Sequence, residues 1–359
     1  MVQVSVITLR RAVKTGALKH SRIGKRGQIR VLESAVREWV GGHQSTKHTN
    51  GARQSNNVVA LDPRLSSSAE NNKCREGNVG KNLRYRIFTA DVVEGLRTLS
   101  TGSVDMWVTS PPYFWQRDYE VEGQIGHEST IDGYVKALTV AFDEAKRVLA
   151  DDGLLFLNLG DAYYNAKGRP HGRDKKHAAR QLARQKLRAV DGPGLGLPRK
   201  SLIGLPWRVA LSLQGRGWIL RSAVIWHRPN SLGEPTSHDR PWRTTENIFI
   251  LSKSVKYHFD RKALGGEEDI WTIAAKPHNP YAHCAPFPVE LVKRCIACGC
   301  KPGGTVGDMF MGSGTSGVAA LQSDRSFVGI ELNDEYASLA ERRIVGQLLN
   351  PTPRSRRAA

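Results

Sequence analysis

The sequence predicts an α/β domain built on a largely parallel sheet, with a small basic module ahead of it, in a chain of 359 residues. Three observations predict this. From about Leu83 onward, short β-branched runs alternate with helical patterns. Near the C-terminus, an apolar run ends at Asp308 and passes through a glycine-rich turn into a helical segment, the order in which such sheets build ligand sites. The charge is segregated. Nine Lys/Arg against two Glu give residues 1–40 a net +7, nine against Asp174 give residues 165–190 a net +8, and three arginines give 351–359 a net +3, which leaves about +1 of the total +19 for everything else. Discrete basic segments on a near-neutral body indicate a polyanion partner, most simply nucleic acid.

Taken in order, Ser5 can cap a helix running through Leu9 to Val13, with Gly16 as its C-cap. Residues 18–23 read as a strand, Gly24-Lys25-Arg26-Gly27 as a basic turn, and Gln28–Val31 as a second strand; Glu33–Val40 reads as a closing helix. Helix, small wing and helix over about 40 residues resemble the winged helix-turn-helix of excisionase-like DNA-binding modules. The resemblance makes Arg10, Arg11, Lys14, Lys25 and Arg26 candidates for DNA contact. Residues 41–82, with Gly41-Gly42, Asn56-Asn57, Ser66-Ser67-Ser68 and Asn71-Asn72, read as a flexible linker.

The main domain is expected over residues 83–350. Central strands are predicted at Val104–Thr109, Leu154–Leu159 and Phe327–Ile330, and a further strand at Asn247–Leu251. A helix is predicted over Asp132–Leu149, because Tyr134, Val135, Leu138, Phe142, Ala145 and Leu149 share one face. The insert at 165–200 carries Arg173, Lys175 and Lys176, and is either a clamp on a nucleic-acid backbone or a solvated loop. The tail 351–359 reads as solvated. With 40% hydrophobic residues the chain can bury a core, which excludes a fully disordered protein. No apolar run approaches membrane-spanning length and no secretion signal opens the chain, so no membrane partner is expected. Five cysteines, four of them between Cys284 and Cys300, make no disulfide framework and fit a reducing cytoplasm. Cys295-x-x-Cys298-x-Cys300 has no second Cys/His pair at zinc-ligand spacing and is read as structural thiols.

Two motifs carry chemistry. In Asp308-Met309-Phe310-Met311-Gly312-Ser313-Gly314-Thr315, the glycines let backbone approach a ligand, and the following helix N-terminus favours an anionic group. Gly312, Gly314 and Gly317 spell G-x-G-x-x-G, and Glu331 ends the next strand 23 residues beyond Asp308. An acid there can accept both ribose hydroxyls of an adenosine-containing cofactor; on this evidence alone a nicotinamide cofactor fits as well. The second motif is Ser110-Pro111-Pro112-Tyr113, directly after the strand Val104–Thr109. Two prolines fix φ and remove two N–H donors, so the strand end is rigid and presents acceptors. The Ser110 hydroxyl and the Pro111 carbonyl can both accept from one NH₂ group, and Tyr113 offers a flat face for a base.

Together these motifs resemble the amino-directed DNA methyltransferases, in which a (D/N/S)-P-P-(Y/F/W) motif pairs with a D-P-F-x-G-S-G-T loop. Here the catalytic motif comes first, the permuted order of the beta group, and the resemblance spans about residues 84–345. It implies a Rossmann-like S-adenosylmethionine-dependent methyltransferase fold. It assigns Ser110, Pro111, Pro112 and Tyr113 to catalysis, and Asp308, Phe310, Gly312, Ser313, Gly314, Thr315 and Glu331 to the cofactor. "FTADVVEGLRTL" at 88–99 adds Asp91 near the cofactor adenine, and "HCAPFPVELV" at 283–292 adds Ala285, Pro286 and Phe287 near its methionine end. "WQRDY" at 115–119 and "NLGDAYY" at 158–164 are similar to phage-type members; Met309 stands where the family usually has proline. The implied cofactor is S-adenosylmethionine and the implied partner is double-stranded DNA, with a cognate restriction endonuclease as a candidate companion. The implied reaction is methyl transfer to the amino group of a flipped base, cytosine N4 in preference to adenine N6 because the motif begins with serine. No cysteine follows a proline, which excludes cytosine C5 methylation. Two competing readings are a DNA-binding regulator with a vestigial enzyme domain and a methyltransferase acting on RNA or on a protein amide. Asp161 can either tune the pocket or cap a helix.

Overall fold

A computed structural model describes residues 21–23, 28–30, 73–79, 82–119, 121–166, 189–231, 234, 237–264, 266, 268–275 and 287–349. The chain divides into two compact units, residues 1–65 and 66–359. In the first, β1 (Ser21–Ile23) and β2 (Gln28–Arg30) form an antiparallel pair with Arg22 opposite Ile29, where the sequence predicted the two strands of a wing. The helices expected around them, and Arg10, Arg11, Lys14, Lys25 and Arg26, lie outside the described residues.

The second unit contains a nine-stranded sheet. Its elements are β3 (Lys73–Val79), β4 (Leu83–Thr89), α1 (Val92–Arg97), β5 (Val104–Thr109), α2 (Ile131–Val148), β6 (Leu149–Leu159), α3 (Leu205–Gly215), β7 (Ile219–His227), β8 (Thr245–Ser252), β9 (Ile270–Thr272), α4 (Val289–Gly299), β10 (Thr305–Asp308), α5 (Thr315–Gln322), β11 (Ser326–Glu331) and α6 (Asp334–Leu349). Across the sheet the order is β3-β4-β11-β10-β5-β6-β8-β7-β9. The five strands from β4 to β6 are mutually parallel, and β3 and β8 run antiparallel to their neighbours. Parallel strands covered on both faces need apolar side chains on both sides, which is why β5, Asp105 and Thr109 apart, and the Leu154–Leu159 stretch of β6, Asn158 apart, read as apolar runs.

Helices cover both faces. On one, Val92 and Leu96 of α1, Leu138 and Phe142 of α2 and Val209 and Leu213 of α3 pack with Trp107 and Leu155 of the sheet. On the other, Leu291 and Ile296 of α4, Val318 and Ala319 of α5 and Ala337 and Ala340 of α6 pack with Met106 and Phe156. Neighbouring residues 106 and 107 thus serve opposite layers, as strand alternation requires. Cys295, Cys298 and Cys300 belong to the second layer; burial pushes Cys298 and Cys300 up to about 12, so they remain thiols and pack as small apolar groups. No helix among the described residues is long and apolar enough to cross a membrane.

One boundary differs from the sequence reading. Residues 73–79, placed in the linker, form the edge strand β3, in full antiparallel register with β4. The strand is mostly exposed, and its one buried residue is Arg75, which donates to Thr89 Oγ1 at 2.6 Å and pairs with Asp334. An edge strand anchored by a guanidinium leaves no apolar alternation in the sequence. The basic insert is closed at its base, where Asn165 N donates to the Val190 carbonyl at 2.8 Å and Lys200 N to the Tyr164 carbonyl at 2.8 Å. Arg173, Lys175 and Lys176 lie outside the described residues.

Candidate active site

The carboxyl ends of β4, β5, β10 and β11 converge on one open cleft. This is where open α/β sheets hold ligands, because parallel strands deliver their following loops to the same edge. Its walls include Asp91, Val92, Ser110, Pro112, Phe310, Gly312, Ile330 and Glu331, together with Tyr119, Gln124, Asn333 and Tyr336.

The glycine-rich loop divides its tasks. Asp308 is 2% exposed and accepts from Thr109 Oγ1 (2.7 Å), Phe310 N (3.0 Å) and Ser316 Oγ (2.7 Å). Both of its oxygens are therefore committed, and Asp308 shapes the loop from below without lining the cleft. Burial raises it to about 6, partly offset by those three donors. Phe310 and Gly312 face the cleft; Gly312, at φ +51°, turns its N–H to Glu331 Oε2 at 2.9 Å. Ser313 and Thr315 turn back into the protein, where Arg343 of α6 donates to Ser313 Oγ at 2.6 Å and approaches Thr315 Oγ1 at 3.4 Å. Gly314 N-caps α5 and, like Ser313 and Thr315, stays off the cleft wall. Of these three residues, expected at the cofactor, Ser313 and Thr315 tie the loop to Arg343 of α6.

Glu331 ends β11 at the cleft wall, with Oε1 accepting from Asn333 N at 2.9 Å. Burial raises it to about 7 against the pull of the Asn333 and Gly312 N–H groups. Asp91 uses one oxygen to cap α1, accepting from Val93 N at 2.9 Å and Glu94 N at 3.3 Å. Ala285 and Pro286 lie outside the described residues, and Phe287 packs against the second core layer. Asp161 accepts from Gly204 N and Leu205 N and so caps α3, which decides between its two sequence readings.

Ser110 follows β5 and opens onto the same cleft. Pro111 is buried, and the Pro112 carbonyl accepts from Tyr134 Oη at 2.9 Å. Tyr113, expected to stack on a base, is packed against the core and directs its hydroxyl to Glu246 Oε2 at 2.9 Å. Glu246 and Arg228 were not singled out from the sequence, and Asn158 entered only as the first residue of the 158–164 segment, with no role. Three strands that are far apart in sequence bring them together, and no spacing announces that. Trp115 stacks on His127 at 4.6 Å, and Tyr119, Val121 and Gln124 reach the cleft wall.

The residues present suit an adenosine-type cofactor. Phe310, Val92 and Ile330 offer apolar faces that a purine could use, Glu331 presents a carboxylate able to accept from hydroxyls, and Ser110 lines the same cleft.

Residues 104–342 match the DNA methylase family of the N6/N4 type. The type II methyltransferase M.Cfr9I of Citrobacter freundii is 44% identical over 273 residues, covering 74% of this chain and 89% of its own length. M.SmaI of Serratia marcescens is 38% identical over 304 residues, covering 82% of this chain and 98% of its own length. Among solved structures, the PvuII DNA methyltransferase (cytosine-N4-specific) superposes with a TM-score of 0.56 at 20% identity, over 77% of this chain and 98% of that one, which establishes a common fold. On the extent of these matches, the chain belongs to the N6/N4 DNA methylase family, whose methyl donor is S-adenosylmethionine.

Proposed function

We propose that this chain is a site-specific DNA methyltransferase acting on cytosine N4. The observation that carries the reading is the position of Ser110 on the wall of the cleft that Glu331 and Gly312 also line. S-adenosylmethionine, when bound, supplies an electrophilic methyl group. Glu331 would accept from its ribose hydroxyls, Asp91 would lie toward the adenine, and Phe310 would offer the ring an apolar face. The target base leaves the stack, because its amino nitrogen is unreachable in a duplex. The Ser110 hydroxyl and the Pro111 carbonyl accept the two amino hydrogens, which draws the nitrogen lone pair out of conjugation and aims it at the methyl. The protein's contribution is orientation and fixed dipoles, with no covalent intermediate.

Cytosine is preferred because the cytosine amine is the more reactive one and a neutral hydroxyl suffices to hold it, whereas a carboxylate would pull harder on an adenine amine. Methylated DNA digested to nucleosides and read by mass spectrometry is expected to contain N4-methylcytosine. N6-methyladenine in its place would move the assignment to adenine and leave the rest of the mechanism standing.

The N-terminal segment is proposed as a DNA-binding module of the winged helix-turn-helix kind, with Arg10, Arg11, Lys14, Lys25 and Arg26 on the backbone and Arg173, Lys175 and Lys176 of the insert as a second point of attachment. Residues 1–40 carry +7 of the +19. Deleting 1–45 is therefore expected to preserve methyl transfer while weakening DNA binding, with the salt slope reduced by about 0.9 for each phosphate the truncated protein no longer neutralises. An unchanged slope would assign the module another task. A cognate restriction endonuclease is proposed as the companion activity, in keeping with relatives named as type II methyltransferases.

A further inference from the structure

Serine is an ambiguous residue for this task, because a hydroxyl can donate as readily as it accepts. A target amine needs an acceptor, and a Ser110 hydrogen pointing at it would repel it. The structure contains a chain of groups that removes the ambiguity. Ser110 Oγ donates to Tyr113 Oη at 3.3 Å, and Tyr113 Oη donates to Glu246 Oε2 at 2.9 Å. A carboxylate only accepts, so the far end of the chain sets the direction of both hydrogens. Glu246 is itself held on two sides, with Oε1 accepting from Arg228 Nη1 at 2.8 Å and Oε2 from Asn158 Nδ2 at 3.1 Å. Its side chain is 13% exposed. The Tyr113 ring is fixed as well: a Cβ on Gly160 would sit 2.6 Å from its Cε2, so only glycine permits the ring to lie there. None of Glu246, Arg228, Asn158 and Tyr113 lines the cofactor cleft.

We propose that Glu246 is a positioning residue for methyl transfer, which acts through the Tyr113 hydroxyl to present Ser110 to the target amine as an acceptor. This rests on the methyltransferase reading of Ser110 given above. Burial and the facing carboxylate push Tyr113 well above its ordinary range, so its hydroxyl keeps the hydrogen it donates. Glu246→Gln is the informative change. The charged Arg228 donates at the Oε1 position and holds the amide oxygen there, so the amide NH₂ takes the Oε2 position that Tyr113 and Asn158 face, which reverses the chain. Tyr113→Phe removes the relay and leaves the pairs from Glu246 to Arg228 and Asn158 in place.

The test is single-turnover transfer of labelled methyl from saturating S-adenosylmethionine to unmodified genomic DNA, with cofactor affinity measured by calorimetry. Each variant is expected to slow transfer about 10²-fold, the scale of a misplaced reacting group, with cofactor Kd within about twofold of wild type. Because the two residues act as one unit, the double variant should be no slower than the slower single. Glu246→Asp should recover part of the rate, since it remains an acceptor. A Glu246→Gln enzyme within twofold of the wild-type rate, or losses that multiply in the double variant, would overturn the proposal. If Glu246→Gln does not fold, Tyr113→Phe decides the matter by itself: a loss of about 10²-fold supports the relay and a near-normal rate overturns it. A normal rate in Ser110→Ala would instead overturn the underlying reading of the site.

Discussion

Replacing Ser110 by alanine is expected to lower methyl transfer by about 10²–10³-fold, the cost of removing one fixed hydrogen-bonding group from a reacting centre, while S-adenosylmethionine binds as before. Ser110 reaches the cleft from the end of β5, whereas Glu331, proposed above as the ribose acceptor, stands at the end of β11. In the sheet order, β10 lies between these strands, so truncation at one should not disturb the other. The loss should fall on kcat, because the amine is held and activated by Ser110 only once the base has entered the pocket. Incorporation of labelled methyl into DNA measures the first quantity and calorimetry the second. Normal turnover in the alanine enzyme would remove Ser110 from the mechanism.

The parts of this site that could be read in the sequence are carried by contiguous residues or, for Glu331, by a fixed spacing of 23 residues from Asp308. Ser110-Pro111-Pro112-Tyr113 announces itself because a rigid Pro-Pro step follows a buried strand directly. Asp308 to Thr315 does so because a turn that must approach a ligand needs glycine at fixed offsets. What the sequence could not reveal is which side of the loop each residue serves. Phe310 and Gly312 face the cleft, while Ser313 and Thr315 turn to Arg343, 30 and 28 residues further on. Asp308 carries the same signal as a ligand-binding acid, yet Thr109, Phe310 and Ser316 use both of its oxygens.

The same contrast holds for the fold. Strands buried on both faces, such as β5 and β6, were legible as apolar runs, and α2 was legible from one apolar face. The edge strand β3 was not, since it is held by backbone pairing to β4 and by Arg75, neither of which leaves a hydropathy pattern. Glu246 was invisible for a related reason. It stands at the start of an apolar strand with no nearby partner in sequence, and it gains its role only when β8 pairs with both β6 and β7 and brings Asn158 and Arg228 to it.

Cofactor affinity should rise with pH between 6 and 8, and Glu331 should be the cause. Burial raises this carboxyl to about 7, so near neutrality a large share of the protein without cofactor carries it protonated. A protonated carboxyl accepts poorly from two ribose hydroxyls. Binding therefore favours the ionised form and expels a proton. If only the ionised form binds, the competent fraction grows about tenfold from pH 6 to pH 8, and the apparent Kd falls by the same factor. Stability without cofactor runs the other way. Asp308 and Glu331 both have folded values above their unfolded ones, about 6 against 3.8 and about 7 against 4.5, so the native state binds more protons through that window. The protein without cofactor is therefore most favoured at the acid side and loses stability as pH rises from about 4 to 7, at roughly 1.4 kcal/mol for each unit of elevation. Glu331→Gln should weaken S-adenosylmethionine binding about 10²-fold, through the loss of charge-assisted hydrogen bonds worth about 1.5–3 kcal/mol each. It should also flatten the pH dependence. Calorimetry at pH 6, 7 and 8 on both proteins separates the contribution of Glu331 from titration of the cofactor's own groups, which is common to the two. Asp308→Ala should weaken binding as well, but through the loop, since it strands the buried hydroxyls of Thr109 and Ser316 and frees Phe310 and Gly312 to move. A wild-type Kd that does not change from pH 6 to 8, or one whose slope persists in Glu331→Gln, would show that Glu331 is not the acceptor for the ribose.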